Sequence, residues 1–479
     1  MNLPEEFIRQ MQDLLGEEYP AFVASLDEEV PVSIRINDNK LGSVESRSLS
    51  TFEMTKYSEA ICEDPVLWCD MGRYLKERPS FTFDPEFHAG CYYVQEASSM
   101  FLGQAIKTFI EGPVCALDLC AAPGGKSTHL SSLLENGSLL VSNEVIRSRA
   151  NILAENTIKW GNPSVIVTNN DPAEIGKLTH SFDLILADVP CSGEGMFRKD
   201  SKAINEWSPA NVNLCAERQR RIVADIWPAL KPEGILVYST CTYNTRENEE
   251  NVSWIANELG GEILEIPVDN SWNIKGCLKG NIPVYRFMPH RTRGEGFFMT
   301  VIRKKGVTGS YRELQEVKRS RRVGAPLTGA LKKKLQEVMG GSYKEYWLHD
   351  PERFYFFEEK GVFSAFPLEN PEKFRIFKES LKIICAGITL GEIKGKDIIP
   401  SHHLALSTAF NRKIFPEIEL DKNQAIRYLR KEALFDLPES CSKGYNIVSF
   451  EGHPLGFVKN IGNRANNLYP QEWRIRSNI

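Results

Sequence analysis

Two cysteines follow predicted strands directly, and this placement indicates nucleophilic chemistry. The apolar run 182–187 predicts a buried strand, which leads through Asp188 into the turn Pro190-Cys-Ser-Gly193. A second apolar run, 234–240, ends in Cys241 in the same way. Ligands of open parallel sheets bind in the crevice outside the carboxyl ends of the strands. We therefore expect Cys191 or Cys241 to act as a nucleophile in such a crevice.

The reaction that such a thiol serves best is substitution at carbon 5 of cytosine. The thiolate is the reactive form of cysteine, and its surroundings must favour it. When a thiolate adds to carbon 6, aromaticity is broken and carbon 5 can attack a methyl sulfonium. A base must then remove the carbon 5 proton, and a carboxylate such as Asp188 can hold the polar edge of the pyrimidine. Either cysteine alone would more often be structural, and the local sequence does not decide which one attacks.

A cofactor site is predicted at the ends of three earlier strands. The turn Cys120-Ala-Ala-Pro-Gly-Gly-Lys-Ser127 is not a phosphate loop, because that motif requires a glycine where Cys120 stands. A glycine-containing turn between strand and helix instead lets backbone approach a nucleoside closely. Glu144 ends the second strand and is expected to accept the ribose hydroxyls, while Asp171 follows the third and is expected to accept from the adenine amino group. Without a Gly-x-Gly-x-x-Gly fingerprint, S-adenosylmethionine is favoured over a dinucleotide.

The elements that must position these residues alternate as strand and helix. This alternation predicts an α/β protein with a Rossmann-like parallel sheet and helices on both faces. We predict an N-terminal lobe (1–110), a catalytic domain (111–305), a linker or intermediate region (306–380) and a small β-rich module (381–479). The stretch 68–87, rich in Arg, Lys, aromatic residues and proline, is interpreted either as an irregular RNA-facing lobe or as a packed connector.

Composition is that of an ordinary globular protein. The chain has 479 residues, of which 42% are hydrophobic and 25% charged, with a net charge of −5. The amino terminus lacks a basic-then-apolar signal, and no apolar run approaches the roughly 18 residues of a membrane span. The 11 cysteines include no Cys-x-x-Cys pair. We expect a cytoplasmic monomer with no membrane association, no metal and no disulfide framework.

Binding of a nucleic acid requires clusters of Lys and Arg, and a negative net charge of the whole chain does not exclude such clusters. Basic runs occur at 286–293, 318–322, 332–334 and 474–476. Interleaved His and aromatic residues favour RNA contact for the run 286–293, whereas the triple lysine 332–334 is interpreted as a solvated face.

Several motifs resemble those of the Nop/Sun family of RNA (cytosine-5) methyltransferases. They are Ser33-Ile-Arg-Ile-Asn37, Tyr93-Val-Gln-Glu-Ala-Ser-Ser99, Leu117-Asp-Leu-Cys-Ala-Ala-Pro-Gly-Gly-Lys-Ser127, Asp188-Val-Pro-Cys-Ser-Gly193, Ser239-Thr-Cys-Thr242 and Pro289-His-Arg-Thr-Arg-Gly-Glu-Gly-Phe-Phe298. The resemblance implies a class I methyltransferase sheet and an N-terminal lobe that binds RNA.

The same resemblance assigns roles within the site. It implies that Cys241 is the attacking nucleophile, that Cys191 assists release of the product, and that Asp188 and Lys126 complete the catalytic group. The residues implied to line the S-adenosylmethionine pocket are Cys120, Ala121, Ala122, Pro123, Gly124, Gly125, Lys126, Glu144, Asp171 and Asp188. Val189 replaces the family's usual alanine, and we expect that change to be tolerated.

The C-terminal stretches 394–401 and 456–473 look like the PUA-type RNA-binding module of 16S ribosomal RNA methyltransferases of the F type. The region 306–380 matches only weakly. We predict methylation of carbon 5 of a cytidine in 16S ribosomal RNA, with RNA in or near the 30S subunit as partner. The alternatives are the same chemistry on transfer RNA and a catalytically idle RNA-binding assembly factor.

Overall fold

The computed structural model describes residues 1–40, 62–306, 347–395, 397–434 and 441–477. The basic runs 318–322 and 332–334 lie outside the described residues, as does most of the predicted linker that begins at residue 306. The described strands form four sheets, of which one has nine strands and the others four each.

The N-terminal lobe is a small antiparallel sheet flanked by short helices. Its elements are α1 (Glu5–Leu15), α2 (Tyr19–Leu26), β1 (Val32–Ile36), β2 (Cys62–Val66), β3 (Cys69–Leu75), α3 (Pro85–Ala89), β4 (Tyr92–Val94) and α4 (Leu102–Phe109), with the sheet in the order β2-β3-β1-β4. Helix α1 buries Phe7 and Met11 at the spacing that its sequence predicts. The Phe7 ring lies 5.0 Å from Phe197 and 5.5 Å from Trp207, so this helix shares a core with the catalytic part.

Much of the stretch 68–87 packs into this lobe, as the interpretation of it as a connector predicts, and its contact with RNA stays a prediction. Strand β3 pairs with β1 in antiparallel register, from Val32 opposite Leu75 to Arg35 opposite Gly72. The indole N–H of buried Trp68 donates to the Ala97 carbonyl at 2.7 Å. Polar residues at exposed and half-buried positions of β3 had obscured the strand pattern.

The central sheet confirms the predicted α/β class. Its elements are β5 (Cys115–Asp118), α5 (Gly125–Leu133), β6 (Leu139–Asn143), α6 (Arg147–Trp160), β7 (Val165–Thr168), α7 (Pro172–Gly176), β8 (Phe182–Asp188), α8 (Ser201–Glu206), α9 (Pro209–Ile226), β9 (Leu230–Thr240), α10 (Glu249–Glu258), β10 (Gly261–Leu264), β11 (Tyr285–Phe287) and β12 (Phe297–Lys304). Strands β7-β6-β5-β8-β9 run parallel in that order. Alternate residues of β8 enter two different buried clusters, as expected for a sheet covered on both faces.

Antiparallel strands extend this sheet at both edges, so it is mixed rather than purely parallel. Strand β12 pairs with β9, and β10 and β11 pair with β12. At the opposite edge, β15 (Ile383–Ala386) pairs with β7. Strand order reverses at β5, which lies between β6 and β8, and this switch point opens a crevice at the carboxyl ends.

The C-terminal part consists of two further sheets. The first contains β13 (Phe354–Glu359), β14 (Val362–Pro367), β16 (Ile388–Lys394) and β17 (Asp397–Pro400), with α11 (Pro371–Ser380) between β14 and β15. This sheet therefore combines strands from both sides of the predicted boundary at residue 380. The second contains β18 (Glu417–Glu419), β19 (Gly444–Phe450), β20 (His453–Asn460) and β21 (Ala465–Asn467), with helices α12 (His402–Leu406) and α13 (Lys422–Leu429). Within the described ranges, no helix combines the length and the apolar character needed to cross a membrane.

A buried ion pair ties α10 to β11 beneath the site. The Arg286 guanidinium donates from Nε to Glu249 Oε1 at 2.9 Å, makes a second hydrogen bond to Oε2, and donates to the Tyr243 carbonyl at 2.7 Å. The two side chains are only 1% and 3% exposed. Removing one partner of such a pair leaves a buried charge without compensation, which costs far more than the pair itself contributes.

We expect Glu249→Gln to lower the free energy of unfolding by about 3–5 kcal/mol, because Arg286 would keep its charge in a buried site. Urea unfolding followed by tryptophan fluorescence measures this loss. The matched control is Glu5→Gln, which breaks the exposed pair with Arg9 and should cost less than about 1 kcal/mol. Equal losses in the two variants would contradict the expectation.

Candidate active site at the strand ends

The two cysteine loops lie side by side because their strands are neighbours. Strands β8 and β9 pair in parallel, with Asp188 opposite Ser239, so the turns that follow them leave the sheet together. The Sγ atoms of Cys191 and Cys241 are 3.1 Å apart, and the Cys241 backbone N–H donates to the Cys191 sulfur at 3.4 Å. The structure thus brings together the two thiols that the sequence singles out.

The two sulfurs do not have equal environments. The contact with Cys241, together with burial, raises the pKa of Cys191 well above its ordinary value. A pair of thiols at this distance titrates as a unit, since one negative charge disfavours a second beside it. Ionisation of either thiol therefore disfavours ionisation of the other, so the pair favours one charged and one neutral cysteine.

A carboxylate and an ammonium stand beside the thiols. Lys126 Nζ donates to Asp188 Oδ2 at 2.8 Å, and the Ser239 hydroxyl donates to Oδ1 at 2.7 Å. Burial disfavours the charged lysine, but the carboxylate of Asp188 outweighs it, and the net effect raises the pKa of Lys126. The ammonium also lies 5.2 Å from the centre of the Phe297 ring. Lys126 therefore remains protonated at neutral pH and holds Asp188 in a fixed orientation.

The turn 120–126 connects β5 to α5 at the switch point. The Ala121 N–H donates to the Asn143 carbonyl at 2.8 Å, and the turn then passes through Ala122 and Pro123 to Gly124. Gly124 has φ of +121°, a conformation that favours glycine. At Gly125 a Cβ atom would lie 3.2 Å from the Tyr93 ring, so a side chain would crowd this turn.

Acidic side chains surround this turn. Asp118, fully buried at the end of β5, accepts from the Ser127 hydroxyl at 2.7 Å, while its Oδ1 has no partner. Burial, with the charges of Asp188 and Glu144, raises the pKa of Asp118 to about 7. Burial and the same acids raise the pKa of the Cys120 thiol, which therefore stays neutral. A cationic ligand would relieve this accumulation of negative charge.

The two acids predicted to bind a nucleoside differ in how they are held. Glu144 is buried after β6; its Oε1 accepts from the Ile146 N–H at 2.9 Å and its Oε2 lies 3.4 Å from Arg149 Nη1. Arg149 also donates to the Ala122 carbonyl at 2.8 Å, which links Glu144 to the turn. Asp171 is exposed and caps α7, accepting from the Ala173 N–H at 2.9 Å. Its second carboxylate oxygen is not used by that bond.

The observed residues fit a nucleoside that carries a positive charge. The glycine turn allows a ligand to contact the backbone closely. Asp118 Oδ1 has no hydrogen-bond partner and could accept from a ligand, and Glu144 lies at the end of the neighbouring strand. This combination suits a hydroxylated ribose joined to a sulfonium and an amino group. A group that the sequence did not single out is Asp118, whose role becomes visible only from its burial below the turn.

Arg35 is a second residue that sequence reasoning did not assign to the site. It is buried on β1, donates from Nε to Gln95 Oε1 at 2.8 Å and from Nη2 to the Thr128 hydroxyl at 2.6 Å. The same nitrogen reaches the Gly125 carbonyl at 3.4 Å, and the guanidinium lies 4.3 Å from the Trp160 ring centre. The N-terminal lobe thus supports the turn directly.

The run 286–293 is not one continuous exposed basic surface, and contact of its exposed residues with RNA stays a prediction. Arg286 is buried in its pair with Glu249. His290 and Arg291 both contact Glu18, at 3.1 and 3.0 Å. All three side chains therefore have partners within the fold, and the buried charge of Arg286 is matched by an internal acid because an unpaired buried charge is costly.

One group of described side chains has metal-ligand spacing, but it lies outside this site. Ligand atoms of Glu86, Cys91 and His453 lie within 4.8 Å of one another where the lobe meets the C-terminal sheet. The nearby ammonium of Lys40 acts on both the thiol and the imidazole. A fixed positive charge there opposes binding of a cation, and the expectation that the protein needs no metal stays a prediction.

The fold and the site define a Rossmann-like methyltransferase. Chains of this shape include the methyltransferase homologue protein from Pyrococcus horikoshii, which is 27% identical and has a TM-score of 0.53, with 63% of this chain and 95% of that chain covered. NSun6 from Pyrococcus horikoshii shares the fold at 22% identity, with a TM-score of 0.53, 64% of this chain and 99% of that chain covered.

Family models cover the three parts of the chain. Residues 111–303 match the 16S rRNA methyltransferase RsmB/F model, residues 3–97 the N-terminal domain of 16S rRNA methyltransferase RsmF, and residues 415–475 the methyltransferase RsmF PUA domain. The ribosomal RNA small subunit methyltransferase F of Aliivibrio salmonicida is 32% identical, with 98% of this chain and 97% of that protein covered. The same enzyme of Cronobacter sakazakii is 31% identical, with 98% and 96% covered.

The chain belongs to the ribosomal RNA small subunit methyltransferase F family. The family resemblance inferred from the motifs is confirmed, as are the PUA module and the cofactor, S-adenosylmethionine.

We expect Glu144→Gln to weaken S-adenosylmethionine binding about 10- to 100-fold, because a hydrogen bond to a buried charged group is worth about 1.5–3 kcal/mol. Isothermal titration calorimetry measures the dissociation constant. Glu258→Gln removes an exposed carboxylate at the end of α10 and serves as the control with unchanged affinity. Equal affinity in the two variants would show that Glu144 does not contact the cofactor.

Proposed function

We propose that this protein methylates carbon 5 of a cytidine in 16S ribosomal RNA through a covalent bond between Cys241 and carbon 6 of the base. The observation that carries the proposal is the thiol pair at 3.1 Å, placed beside Asp188 at adjoining strand ends. The names of the full-length relatives support the choice of RNA.

Cys241 is proposed to begin the reaction as the thiolate. Its sulfur bonds to carbon 6 while the electron pair of the carbon 5–carbon 6 double bond moves onto carbon 5. Asp188 accepts from the polar edge of the cytosine, and the ammonium of Lys126 stabilises the charge that develops on the ring. Bound S-adenosylmethionine supplies an electrophilic methyl group to the activated carbon.

Cys191 is proposed to complete the reaction as the base. Its pKa is raised first of all by Cys241, and that cause disappears when the Cys241 sulfur is bonded to carbon 6. Cys191 can then release its proton to solvent and take the proton from carbon 5. The electron pair left behind restores the double bond and expels Cys241 as the thiolate. Loss of this contact removes the largest effect that raises the pKa of Cys191, although burial continues to raise it.

The cofactor is proposed to lie on the turn 120–126, against the strand-end acids. Cys120, Ala121, Ala122, Pro123, Gly124, Gly125 and Lys126 would provide the backbone surface, and Glu144, Asp171 and Asp188 the acceptors. The unpartnered oxygen of Asp118 supports adding it to this set.

We expect Cys191→Ala to accumulate a protein–RNA adduct that survives denaturing electrophoresis, because addition proceeds but elimination lacks its base. Cys241→Ala should form no adduct and transfer no methyl group from labelled S-adenosylmethionine. The double variant is the control for adducts through any other residue. Methyl transfer by Cys241→Ala would refute the proposed nucleophile, and turnover by Cys191→Ala without an adduct would refute the proposed base.

The RNA is identified by comparing cells that lack the gene with cells that express either the wild type or Cys241→Ala. Bisulfite sequencing should show one 16S cytidine that only the wild-type protein protects. If the cells that lack the gene instead lose protection of a cytidine in transfer RNA, transfer RNA is the substrate of the same reaction. If neither RNA changes while subunit assembly fails, the idle assembly factor is the better description.

The flanking parts are proposed to bind this RNA. The lobe 1–110 and the PUA module share a buried cluster, which includes Ala89, Cys91, Tyr428 and Val458, so together they could extend the RNA-binding surface beyond the catalytic domain. A substrate in or near the 30S subunit agrees with the cytoplasmic location expected from the sequence.

A further inference from the structure

Two buried glutamates connect the cysteine loops to each other in opposite directions. Glu194, three residues after Cys191, accepts through Oε2 from the backbone N–H groups of Tyr243 at 2.7 Å and Asn244 at 2.8 Å. Glu247, on the Cys241 side, accepts through Oε2 from the Ser192 N–H at 3.0 Å. Each loop thus contributes an acid that binds the backbone of the other.

The remaining hydrogen bonds of the two acids fix them from several elements. Glu194 Oε1 accepts from Trp207 Nε1 at 2.9 Å, Gln10 Nε2 at 3.0 Å and Asn244 Nδ2 at 3.1 Å. Glu247 accepts from Gln219 Nε2 at 2.6 Å, Asn244 Nδ2 at 2.8 Å and the Ser192 hydroxyl. Both side chains are completely buried. A buried carboxylate is expensive unless its oxygens are well satisfied, and these oxygens are.

The loops also touch through their backbones. The Gly195 N–H donates to the Cys241 carbonyl at 2.9 Å. A Cβ atom on Gly195 would lie 2.9 Å from that carbonyl oxygen and 2.6 Å from the Gly296 carbonyl oxygen. The contact is therefore too close for any side chain at position 195, and the two glutamates add reciprocal hydrogen bonds between the same loops.

We propose that Glu194 and Glu247 are positioning residues that hold Cys241 in register with Cys191 and the base, without touching the reacting atoms. This inference rests on the proposed function, because it concerns the rate at which Cys241 adds to carbon 6. Misplacing a catalytic group by about 1 Å can cost about 100-fold in rate. Glu194 also extends the arrangement to α1 through Gln10, so the N-terminal lobe contributes to the register.

The test measures addition alone, in the Cys191→Ala background where elimination is blocked. We expect Glu194→Gln and Glu247→Gln each to slow formation of the RNA adduct about 10- to 100-fold. A glutamine offers one acceptor oxygen where the glutamate offers two, so donors of the opposite loop lose their partner. The dissociation constants for RNA and S-adenosylmethionine should stay within about twofold, since neither acid lies at the cofactor turn.

The control is Glu250→Gln, which makes the same change at an acid of α10 that pairs with Arg246 near the surface. This variant should form the adduct at the parental rate. Adduct formation at that rate in both glutamine variants would overturn the positioning role. Parallel loss of cofactor affinity and of thermal stability would also overturn it, by showing a general structural role. If a glutamine variant does not fold, Gln10→Ala decides, because it removes one donor to Glu194; a rate equal to that of Glu250→Gln would overturn the proposal.

Failure of the underlying function is distinguishable from failure of this inference. If the Cys191→Ala parent forms no adduct, the proposed covalent function fails first. If the parent forms the adduct and the glutamate variants do so equally fast, only the positioning role fails.

Discussion

The parallel pairing of β8 with β9 is the constraint on which the site depends. Because Asp188 and Ser239 are opposite one another in the register, both strands end at the same level and their turns must occupy the same space. Two thiols 3.1 Å apart cannot behave independently, since a charge on one disfavours a charge on the other. The fold therefore favours one charged and one neutral cysteine, which is the combination that the proposed addition and elimination require.

Carboxylates around this point fall into two groups according to how their oxygens are used. Glu194, Glu247 and Glu249 are buried and receive donors from several elements. Asp118 and Glu144 are equally buried but less occupied, and Asp118 keeps one oxygen without a partner. Satisfied acids hold the loops in place, whereas an unsatisfied buried oxygen is a cost that a ligand can remove. The acids with fully used oxygens therefore support the loops, whereas Asp118 and Glu144 are the ones suited to binding a ligand.

Much of the fold and part of the site were predictable from the sequence. Continuous apolar runs ending in Asp188 or Cys241 predicted parallel strands, and the strand-end rule brought the chemistry to one crevice. Strand β3 was missed because its polar residues weaken the alternation. A strand at 381–385 was predicted, but its pairing with β7 was not, because the two partners are more than 200 residues apart. Local patterns do not encode such long-range pairing.

The buried polar residues were the hardest to predict, for a physical reason. Arg286 lies in a basic run that resembles an RNA surface, yet it is buried, because Glu249 compensates it from another element. Glu194 and Glu247 look like ordinary surface acids in the sequence, and only the meeting of the two loops shows what they bind. Charged residues are almost never fully buried unless paired, so composition alone assigns them to the surface.

The N-terminal lobe contacts both halves of the site. Arg35 holds the cofactor turn through Thr128 and the Gly125 carbonyl, while Gln10 holds the cysteine loops through Glu194. These contacts are part of a buried hydrogen-bond network, where each unsatisfied group would be costly. A displacement of the lobe would therefore disturb the cofactor turn and the thiol pair together. The lobe is accordingly a structural part of the site rather than a flexibly linked domain. Any RNA bound to the lobe would be held in a fixed position relative to Cys241.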